Sequence, residues 1–233
     1  MNSVQSYVFE PAPLPAIPVA GQRERLPVHR IYCVGRNYAA HAREMGKDPD
    51  REPPFFFMKP ADAIVPGGGR VKYPPGTVDL HHEIELVVAL HRGGSDIALG
   101  DALEHVFGYA VGLDLTRRDL QSQAKKLGRP WDFGKSFDQS APVTEIYPAA
   151  THGHHAEGKI MLAVNGEVRQ QGDLSEMIWS VPETIAYLSQ YYELVPGDLI
   201  FTGTPAGVGA VAPGDKLVGR IEDLAELSVD IVA

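Results

Sequence analysis

The sequence predicts an α+β fold that is rich in β-structure. The chain has 233 residues, and 44% of them are hydrophobic, which is enough for one substantial core. Its 19 prolines and 24 glycines favour many short strands and turns over long helices. Several short apolar runs lie between these turn-forming residues, as strands would. We therefore expect a globular, β-rich chain with a few short helices.

The N-terminal region begins with a proline-rich stretch. Residues 11–27 should run extended along the surface, held there by Leu14 and Ile17. The run IYCVG at 31–35 is a candidate strand. Residues 36–46, RNYAAHAREMG, are expected to form a short helix that ends at its glycine.

In the middle of the chain, Pro and Gly clusters separate four candidate strands, which cover 55–60, 64–74, 82–90 and 105–116. A helix is predicted next, over 117–128, and should stop near its terminal glycine.

The C-terminal third contains a strong hairpin signal, because an Asn-Gly pair divides the alternating segment 159–172. Apolar residues at helical spacing predict a helix over 179–194, with Pro182 in its first turn. Two Pro-Gly-Asp turns mark further strands, at 198–205 and 216–222.

The charge of the chain narrows the class of partner. A formal net charge of -9 argues against nucleic acid and anionic membranes, since the average surface field repels both polyanions. A small-molecule partner is expected instead. The lone Cys33 excludes an internal disulfide and fits a reducing compartment. No targeting segment or membrane-spanning run is visible, so we expect a cytoplasmic protein.

Two glutamates interrupt the apolar run HHEIELVVAL at 81–90. In a strand, Glu83 and Glu85 project from one face because side chains alternate. Val87 and Ala89 continue that face as apolar residues, which places the carboxylates at the mouth of a core. Two charges roughly 7 Å apart repel by about 2 kcal/mol at an effective dielectric of about 20. A cation should compensate them.

An edge strand with outward glutamates that deter aggregation is the alternative. The apolar flanks favour the cation site. Oxygen ligands select a hard ion such as Mg²⁺, Mn²⁺ or Ca²⁺. His81 and His82 would allow zinc, but His82 alternates to the face opposite Glu83 and Glu85, so a shared site is not expected.

Asp114 is a candidate third carboxylate, since it lies where a predicted strand gives way to a helix. Its alternative role is a helix cap. Thr116 and Asp119 resemble a capping box and could take that role instead. Glu83, Glu85 and Asp114 would then form a three-carboxylate site with positions left for water and a chelating substrate.

Two further features have both a functional and a structural interpretation. His41 and Glu44 are three apart and share a helix face; alone they are a weak surface pair, but beside a metal they suit a base and its orienting carboxylate. Lys135 lies among aromatic residues, where it either covers Phe133 or Phe137 with its stem or serves a charged site.

The segment TGTPAGVG at 202–209 lacks the ending of a phosphate loop, which excludes nucleotide binding. Thr204 in it could hydrogen-bond a carboxylate, or the segment could be a plain tight turn. The histidines at 152, 154 and 155 are expected to lie in a solvated loop.

Several motifs occur in the order seen in one family. The chain resembles the fumarylacetoacetate hydrolase family from about residue 28 onward, and in particular its short acylpyruvate-hydrolase members, with DPDREPPFFFMKP similar to bacterial fumarylpyruvate hydrolases. The motifs that carry the resemblance are CVGRNYAAHAREMG, FFFMKP, HHEIELVV, GLDLTRRDLQ, RPWDFGKSFD and GDLIFTGTPAGVG.

The resemblance implies a mixed β-roll, a homodimer and a catalytic domain at 28–233. The extended arm at 1–27, predicted from its prolines, lies outside the motifs of the resemblance. The resemblance also implies Mg²⁺ or Mn²⁺, and the oxygen ligands predict that Ca²⁺ can also bind in vitro. The residues it implies are metal ligands Glu83, Glu85 and Asp114; catalytic groups Lys135, His41 and Glu44; and ligand-binding Arg36, Arg118, Gln121 and Thr204.

The implied activity is hydrolysis of a carbon–carbon bond in a 2,4-diketo acid, with fumarylpyruvate split to fumarate and pyruvate in aromatic catabolism. Decarboxylation of oxaloacetate or isomerisation of an enol is the alternative within the family. A non-catalytic domain that binds a divalent ion is the alternative outside enzymes.

Overall fold

The computed structural model of the protein describes residues 6–39 and 52–233. Its strands are β1 (Ala16–Pro18), β2 (Arg25–Pro27), β3 (Ile31–Gly35), β4 (Phe55–Lys59), β5 (Ile64–Pro66), β6 (Gly69–Lys72), β7 (Leu80–His82), β8 (Ile84–Leu90), β9 (Val106–Leu113), β10 (Thr116–Arg117), β11 (Ala141–Val143), β12 (Tyr147–Pro148), β13 (Lys159–Val164), β14 (Glu167–Asp173), β15 (Leu199–Phe201), β16 (Gly209–Val211), β17 (Lys216–Ile221) and β18 (Ala225–Val232).

Helices are few and short, as predicted. The α-helices are α1 (Arg118–Leu127), α2 (Asp132–Lys135), α3 (Ala149–His152) and α4 (Val181–Leu188), and three 3₁₀ turns cover Ala61–Ala63, Ala102–His105 and Leu174–Glu176. No helix among the described residues has the length and apolar character needed to cross a membrane.

The strands form a curled, half-barrel arrangement, which confirms the β-rich mixed roll. The largest sheet has the order β4-β3-β15-β8-β9-β11-β5, with β12 also paired to β9. A second sheet has the order β14-β13-β17-β18-β6, and a small one the order β10-β7-β16. Strand pairs β11–β5, β15–β3 and β18–β6 are parallel and the others antiparallel, so the roll is mixed.

Strand β8 lies in the centre of the largest sheet, between β15 and β9. All seven of its residues are buried. Leu86 and Val88 pack into one core cluster, and Val87 and Ala89 into the other, so the two faces of the strand serve two cores. The edge-strand interpretation of its glutamates is therefore wrong.

Only one of the two residues predicted to anchor the N-terminal arm is buried. Ile17 in β1 is fully buried, whereas Leu14 is 69% exposed. Leu14 precedes the first strand, where β1 pairs with β2, and only the inward side chains of that pair reach the core. Leu14 as an anchor is wrong, and Ile17 is confirmed; the division into 1–27 and 28–233 stays a prediction.

Most predicted elements are present with shorter bounds. Asn165 and Gly166 both have positive φ, at 53° and 82°, and turn β13 into β14 as the Asn-Gly signal predicts. Helix α4 is shorter than 179–194, and Ser180 with Glu183 forms a capping box at its start. The predicted strand 64–74 is two strands in two different sheets, because Gly67 and Gly68 turn the chain at positive φ.

The helix predicted over 36–46 does not begin at Arg36. That residue has φ 59°, and Tyr38 forms an isolated bridge with Met177. Because left-handed φ cannot start a right-handed helix, the first predicted turn is wrong. Residues 40–46, with His41 and Glu44, lie outside the described residues.

Candidate metal centre

The three candidate carboxylates meet where the chain passes between two sheets. Glu83 lies in the single-residue gap between β7 and β8, and Asp114 in the gap between β9 and β10. The two gaps are adjacent, because the Asp114 N–H donates to the Glu83 carbonyl at 2.8 Å. Glu85 follows two residues after Glu83 and shares its side of the chain.

The carboxylates of Glu83, Glu85 and Asp114 form a compact buried cluster. One oxygen from each lies within 4.8 Å of the others. In the described part of the chain, this is the only group of three or more side chains that could ligate a metal. The paired-glutamate signal and the position of Asp114 thus point to the same place.

The buried ammonium of Lys135 compensates the negative charge of this cluster. Its Nζ donates to Glu83 Oε2 at 2.7 Å, to Asp114 Oδ2 at 2.6 Å and to Thr116 Oγ1 at 2.7 Å. The side chain is 2% exposed, so the interpretation of Lys135 as a snorkelling lysine that covers Phe133 or Phe137 is wrong.

Lys59 is a second buried cation, and sequence reasoning missed it. Its Nζ lies 2.8 Å from Asp114 Oδ1 and donates to the carbonyls of Leu115, at 3.1 Å, and Lys135. The available signal was a lysine that ends the apolar strand FFFMK, because such a residue is buried only when paired.

Arg118 and Gly203 also donate hydrogen bonds to the carboxylate cluster. The Arg118 guanidinium donates to Glu83 Oε1 and, at 2.6 Å, to Gln121 Oε1. The Gly203 N–H donates to Glu85 Oε2 at 2.7 Å. Arg118 and Gln121, predicted to bind substrate, therefore also hold the carboxylate cluster.

The electrostatics of the cluster favour a further positive charge beside Glu85. Burial, reinforced by the charges of Asp114 and Glu83, raises the pKa of Glu85 well above its ordinary value. Burial alone would lower the pKa of Lys135, but the charges of Asp114 and Glu83 outweigh it and raise that pKa. Glu85 is thus the least compensated of the three carboxylates.

The donor set fits a hard divalent cation. Carboxylate oxygens suit Mg²⁺, Mn²⁺ or Ca²⁺, whereas no histidine or thiol joins the cluster among the described residues. Asp114 Oδ1 is buried and accepts no hydrogen bond, although the Lys59 ammonium is close to it. A buried carboxylate oxygen without a donor is an available ligand atom.

A cleft of about 1170 Å³ opens above the cluster. Phe55, Phe57 and Trp131 form an aromatic wall along it; the Trp131 ring centroid lies 5.4 Å from that of Phe55 and 5.7 Å from that of Phe57. Arg36 also lines the cleft, with its guanidinium 4.8 Å from the Phe55 ring centroid.

Thr204 lies in the same cleft as Arg36 and is buried. Its hydroxyl accepts a hydrogen bond from Gln170 Nε2 at 2.7 Å, which leaves the hydroxyl proton as a donor. The structure therefore brings together every predicted site residue that it describes, and only His41 and Glu44 fall outside the described residues.

Asp114 does not cap a helix, so its side chain is available to the carboxylate cluster, as predicted. The reason predicted for this, a capping box formed by Thr116 and Asp119, is wrong. The cap position of α1 is Arg117, and no side chain caps it. Asp119 instead accepts from Thr77 Oγ1 at 2.6 Å, and the Thr116 hydroxyl donates to the Asp114 carbonyl at 3.1 Å. The strand β10, placed between Asp114 and the helix, displaces the predicted capping box.

The histidines outside the carboxylate cluster serve other roles. His82 Nδ1 lies 2.8 Å from Gln170 Oε1, away from the carboxylates as its alternation predicts. Of the three histidines predicted in a solvated loop, His154 is exposed, with its Nδ1 2.7 Å from the Tyr109 hydroxyl. His152 is exposed but ends α3, and His155 is half-buried against the Tyr109 ring, so the loop prediction is wrong for these two.

Comparison with known proteins identifies close relatives of this architecture. Residues 30–232 match the family model described as fumarylacetoacetate (FAA) hydrolase C-terminal. Fumarylpyruvate hydrolase from Ralstonia sp is 47% identical over 190 residues, 80% of this chain and 98% of that protein. The mitochondrial oxaloacetate tautomerase of Homo sapiens is 42% identical over 201 residues, 86% of this chain and 90% of that protein.

A solved structure extends the likeness to three dimensions. The crystal structure of fumarylpyruvate hydrolase from Pseudomonas aeruginosa in complex with Mn²⁺ and pyruvate has a TM-score of 0.95 and 55% sequence identity. The match covers 97% of this chain and 99% of that one.

Proposed function

The chain belongs to the fumarylacetoacetate hydrolase family, and we propose that it hydrolyses a carbon–carbon bond in a 2,4-diketo acid, with fumarylpyruvate as substrate and fumarate and pyruvate as products. The observation that carries the proposal is the buried cluster of Glu83, Glu85 and Asp114 at the base of an aromatic-walled cleft. Relatives named fumarylpyruvate hydrolase, one of them in complex with Mn²⁺ and pyruvate, support it.

Glu83, Glu85 and Asp114 would hold the divalent ion, Mg²⁺ or Mn²⁺. When bound there, the ion supplies Lewis-acid polarisation of the α-keto acid end of the substrate. Ca²⁺ is expected to replace it in vitro, since the ligands are all oxygens.

The chain's own residues would orient the substrate and hold its charge. Thr204 can donate its hydroxyl proton to the substrate carboxylate, and Arg118 and Gln121 border the same part of the cleft. Lys135 would stabilise negative charge as it develops on the enolate oxygen of the leaving pyruvate. Three hydrogen bonds keep its ammonium positioned for that role.

His41 and Glu44 are proposed as the base and its orienting carboxylate, on sequence spacing and family resemblance alone. His41 would take a proton from water as the oxygen attacks C4. The C3–C4 bond then breaks, its electron pair passes to C3 as the pyruvate enolate, and a proton added at C3 gives pyruvate. General-base assistance of this kind contributes roughly 10² to 10⁴ in rate.

The first test follows the diketo-enol absorbance of fumarylpyruvate and of acetylpyruvate, with Mg²⁺, with Mn²⁺ and with chelator. Metal-dependent turnover of fumarylpyruvate supports the proposal. His41→Ala should lower kcat by roughly 10² or more and leave Mn²⁺ affinity unchanged. The matched control is His152→Ala, an exposed histidine at the end of α3, which should retain normal turnover. Normal turnover by His41→Ala would refute the role of His41 as the general base.

Oxaloacetate chemistry is the second candidate, because several relatives at 38% to 44% identity are named oxaloacetate tautomerase. An enol-to-keto conversion needs proton transfer without attack by water at carbon. Disappearance of enol-oxaloacetate absorbance without release of CO₂ would identify a tautomerase, and CO₂ release a decarboxylase. Loss of stability without loss of any turnover in Glu83→Gln or Glu85→Gln would instead indicate a non-catalytic ion-binding domain.

A homodimer located in the cytoplasm, with a role in aromatic catabolism, completes the proposal. Light scattering coupled to size-exclusion chromatography tests the dimer directly.

A further inference from the structure

The aromatic wall of the cleft is flanked by cations at both ends. Lys135 Nζ lies 4.9 Å from the Phe57 ring centroid, at the carboxylate cluster. Lys125 Nζ lies 4.8 Å from the Trp131 ring centroid, and Arg36 lies beside Phe55 at the same distance. The wall therefore connects a buried cation at the base to two cations nearer the opening.

One face of α1 sets the spacing between the base and the outer cations. Arg118, Gln121 and Lys125 are separated by three and then four residues, so they lie on one face. Arg118 contacts Glu83 of the cluster, whereas Lys125 lies two turns further along, about 10 Å down the axis. An acyl chain of a few carbons together with the flexible lysine stem can bridge that separation.

Lys125 carries a positive charge that its surroundings do not balance. Among the ion pairs of residues 6–39 and 52–233 there is none that involves Lys125. Burial, and the like charges of Arg118, Lys135 and Arg36, lower the pKa of Lys125 to about 8, against the opposing effect of Glu83. A bound anion would relieve this imbalance.

We propose that Lys125 and Arg36 form a subsite for a second carboxylate at the far end of the acyl group, and that the cleft thereby selects flat, dicarboxylic acylpyruvates over acetylpyruvate. The inference rests on the proposed function and specifies its substrate class. A planar, unsaturated acyl group packs against Phe55 and Trp131. Its terminal carboxylate then reaches Arg36, which lies over the Phe55 ring, and Lys125, which lies over the Trp131 ring.

Arg36 is held in place for this contact. Its guanidinium covers the Phe55 ring, and its nearest described carboxylate is the exposed Glu52, at 3.8 Å. A pair at that distance on the surface is weak, so a substrate carboxylate can replace it. Phe55 is itself seated over Gly35, where a Cβ would lie 2.1 Å from its ring.

The test compares two substrates in one variant. Lys125→Gln should raise the KM for fumarylpyruvate about tenfold while kcat and the kinetics of acetylpyruvate stay unchanged, because only the first substrate has the second carboxylate. Lys125→Arg should retain the low KM. The matched control is Lys216→Gln, which removes an exposed lysine distant from the cleft and should change neither substrate.

The pH dependence gives a readout that a structural role would not move. The wild-type KM for fumarylpyruvate should rise as pH passes about 8, because Lys125 loses its proton there. Lys125→Arg should not show this rise, since arginine stays protonated. The subsite proposal is overturned if Lys125→Gln raises the KM for both substrates equally, or if it changes the KM for neither.

A binding measurement distinguishes failure of the proposed hydrolase function from failure of the carboxylate subsite. If the wild type turns over neither diketo acid, fumarate is titrated calorimetrically into Mn²⁺-loaded protein saturated with pyruvate. Binding that weakens about tenfold in Lys125→Gln upholds the subsite without any turnover. Equal binding by both proteins, or none by the wild type, overturns it.

Discussion

The ammonium of Lys59 lies 2.8 Å from Asp114 Oδ1, and neither side chain has any solvent exposure. This contact joins the end of β4 to the gap between β9 and β10. Lys59 also donates to two backbone carbonyls of the same region. It is therefore a structural support of the carboxylate cluster, one step removed from the cleft.

Lys59→Met should lower the free energy of unfolding by about 3–5 kcal/mol, because it removes the buried cation beside the Asp114 carboxylate and one donor from each of two backbone carbonyls. Urea denaturation measures the change. Lys72→Met removes an exposed lysine from β6 and should stay within about 0.5 kcal/mol of the wild type. Similar midpoints for the two variants would show that the Lys59–Asp114 contact adds no stability.

Glu85→Gln should stabilise the metal-free protein at alkaline pH. The folded-state pKa of Glu85 is raised above its ordinary 4.5, so stability is present below 4.5 and lost as pH rises through the folded value. Each pKa unit corresponds to about 1.4 kcal/mol. In chelator at pH 8, we expect Glu85→Gln to melt at least about 2–4 °C higher than the wild type.

Added Mn²⁺ should reverse that order, since it raises the melting temperature of the wild type and leaves Glu85→Gln unchanged. Glu145→Gln, at an exposed position, is the control for charge removal. A Glu85→Gln protein that is less stable than the wild type in chelator would contradict the raised pKa.

Asp114→Asn should weaken Mn²⁺ binding by roughly 100-fold or more, because the amide supplies a neutral ligand in place of a charged one. Calorimetric titration of the metal-free protein gives the dissociation constants. Asp132→Asn removes an exposed carboxylate from α2 and should bind Mn²⁺ as the wild type does. Unchanged affinity in Asp114→Asn would remove Asp114 from the ligand set.

Gly203→Ala should disturb the cluster through the backbone. Gly203 has φ 97° and donates to Glu85, and a Cβ there would lie 2.7 Å from Asn37 Cβ. We expect a loss of about 1–3 kcal/mol in unfolding free energy together with weaker Mn²⁺ binding.

Gly21→Ala is the matched control for that variant. Gly21 also has positive φ, at 72°, but nothing lies within 4 Å of the added Cβ. It should show the backbone cost of about 1 kcal/mol and normal Mn²⁺ affinity. If Gly203→Ala binds Mn²⁺ equally well, the Gly203–Glu85 hydrogen bond does not position the ligand.

The sequence predicts the carboxylate cluster because local periodicity carries the information. Glu83 and Glu85 share a face in any extended chain, and Asp114 marks the end of an apolar run. Lys59 carries no such local signal, since it approaches Asp114 across 55 positions of the chain. Only the pairing of β3 with β4 brings it there.

Helix boundaries follow from local rules only where the backbone obeys them. Gly128 ends α1 in the left-handed conformation, as a C-terminal glycine predicts. At Arg36 the same conformation occurs at a residue that has a Cβ, which no propensity rule anticipates. That backbone turn directs the arginine along Phe55, so the failed helix prediction coincides with a site residue.

The chain passes between the largest sheet and the small β10-β7-β16 sheet at two adjacent crossings, and each crossing carries a carboxylate, Glu83 in one and Asp114 in the other. An ion held by both would add a cross-link between the hydrogen-bond networks of the two sheets, beyond the contacts that Lys135 already makes with both crossings. Opening either network would then require release of the ion, so their amide protons should exchange with solvent as one cooperative unit in the loaded protein and as two units without it.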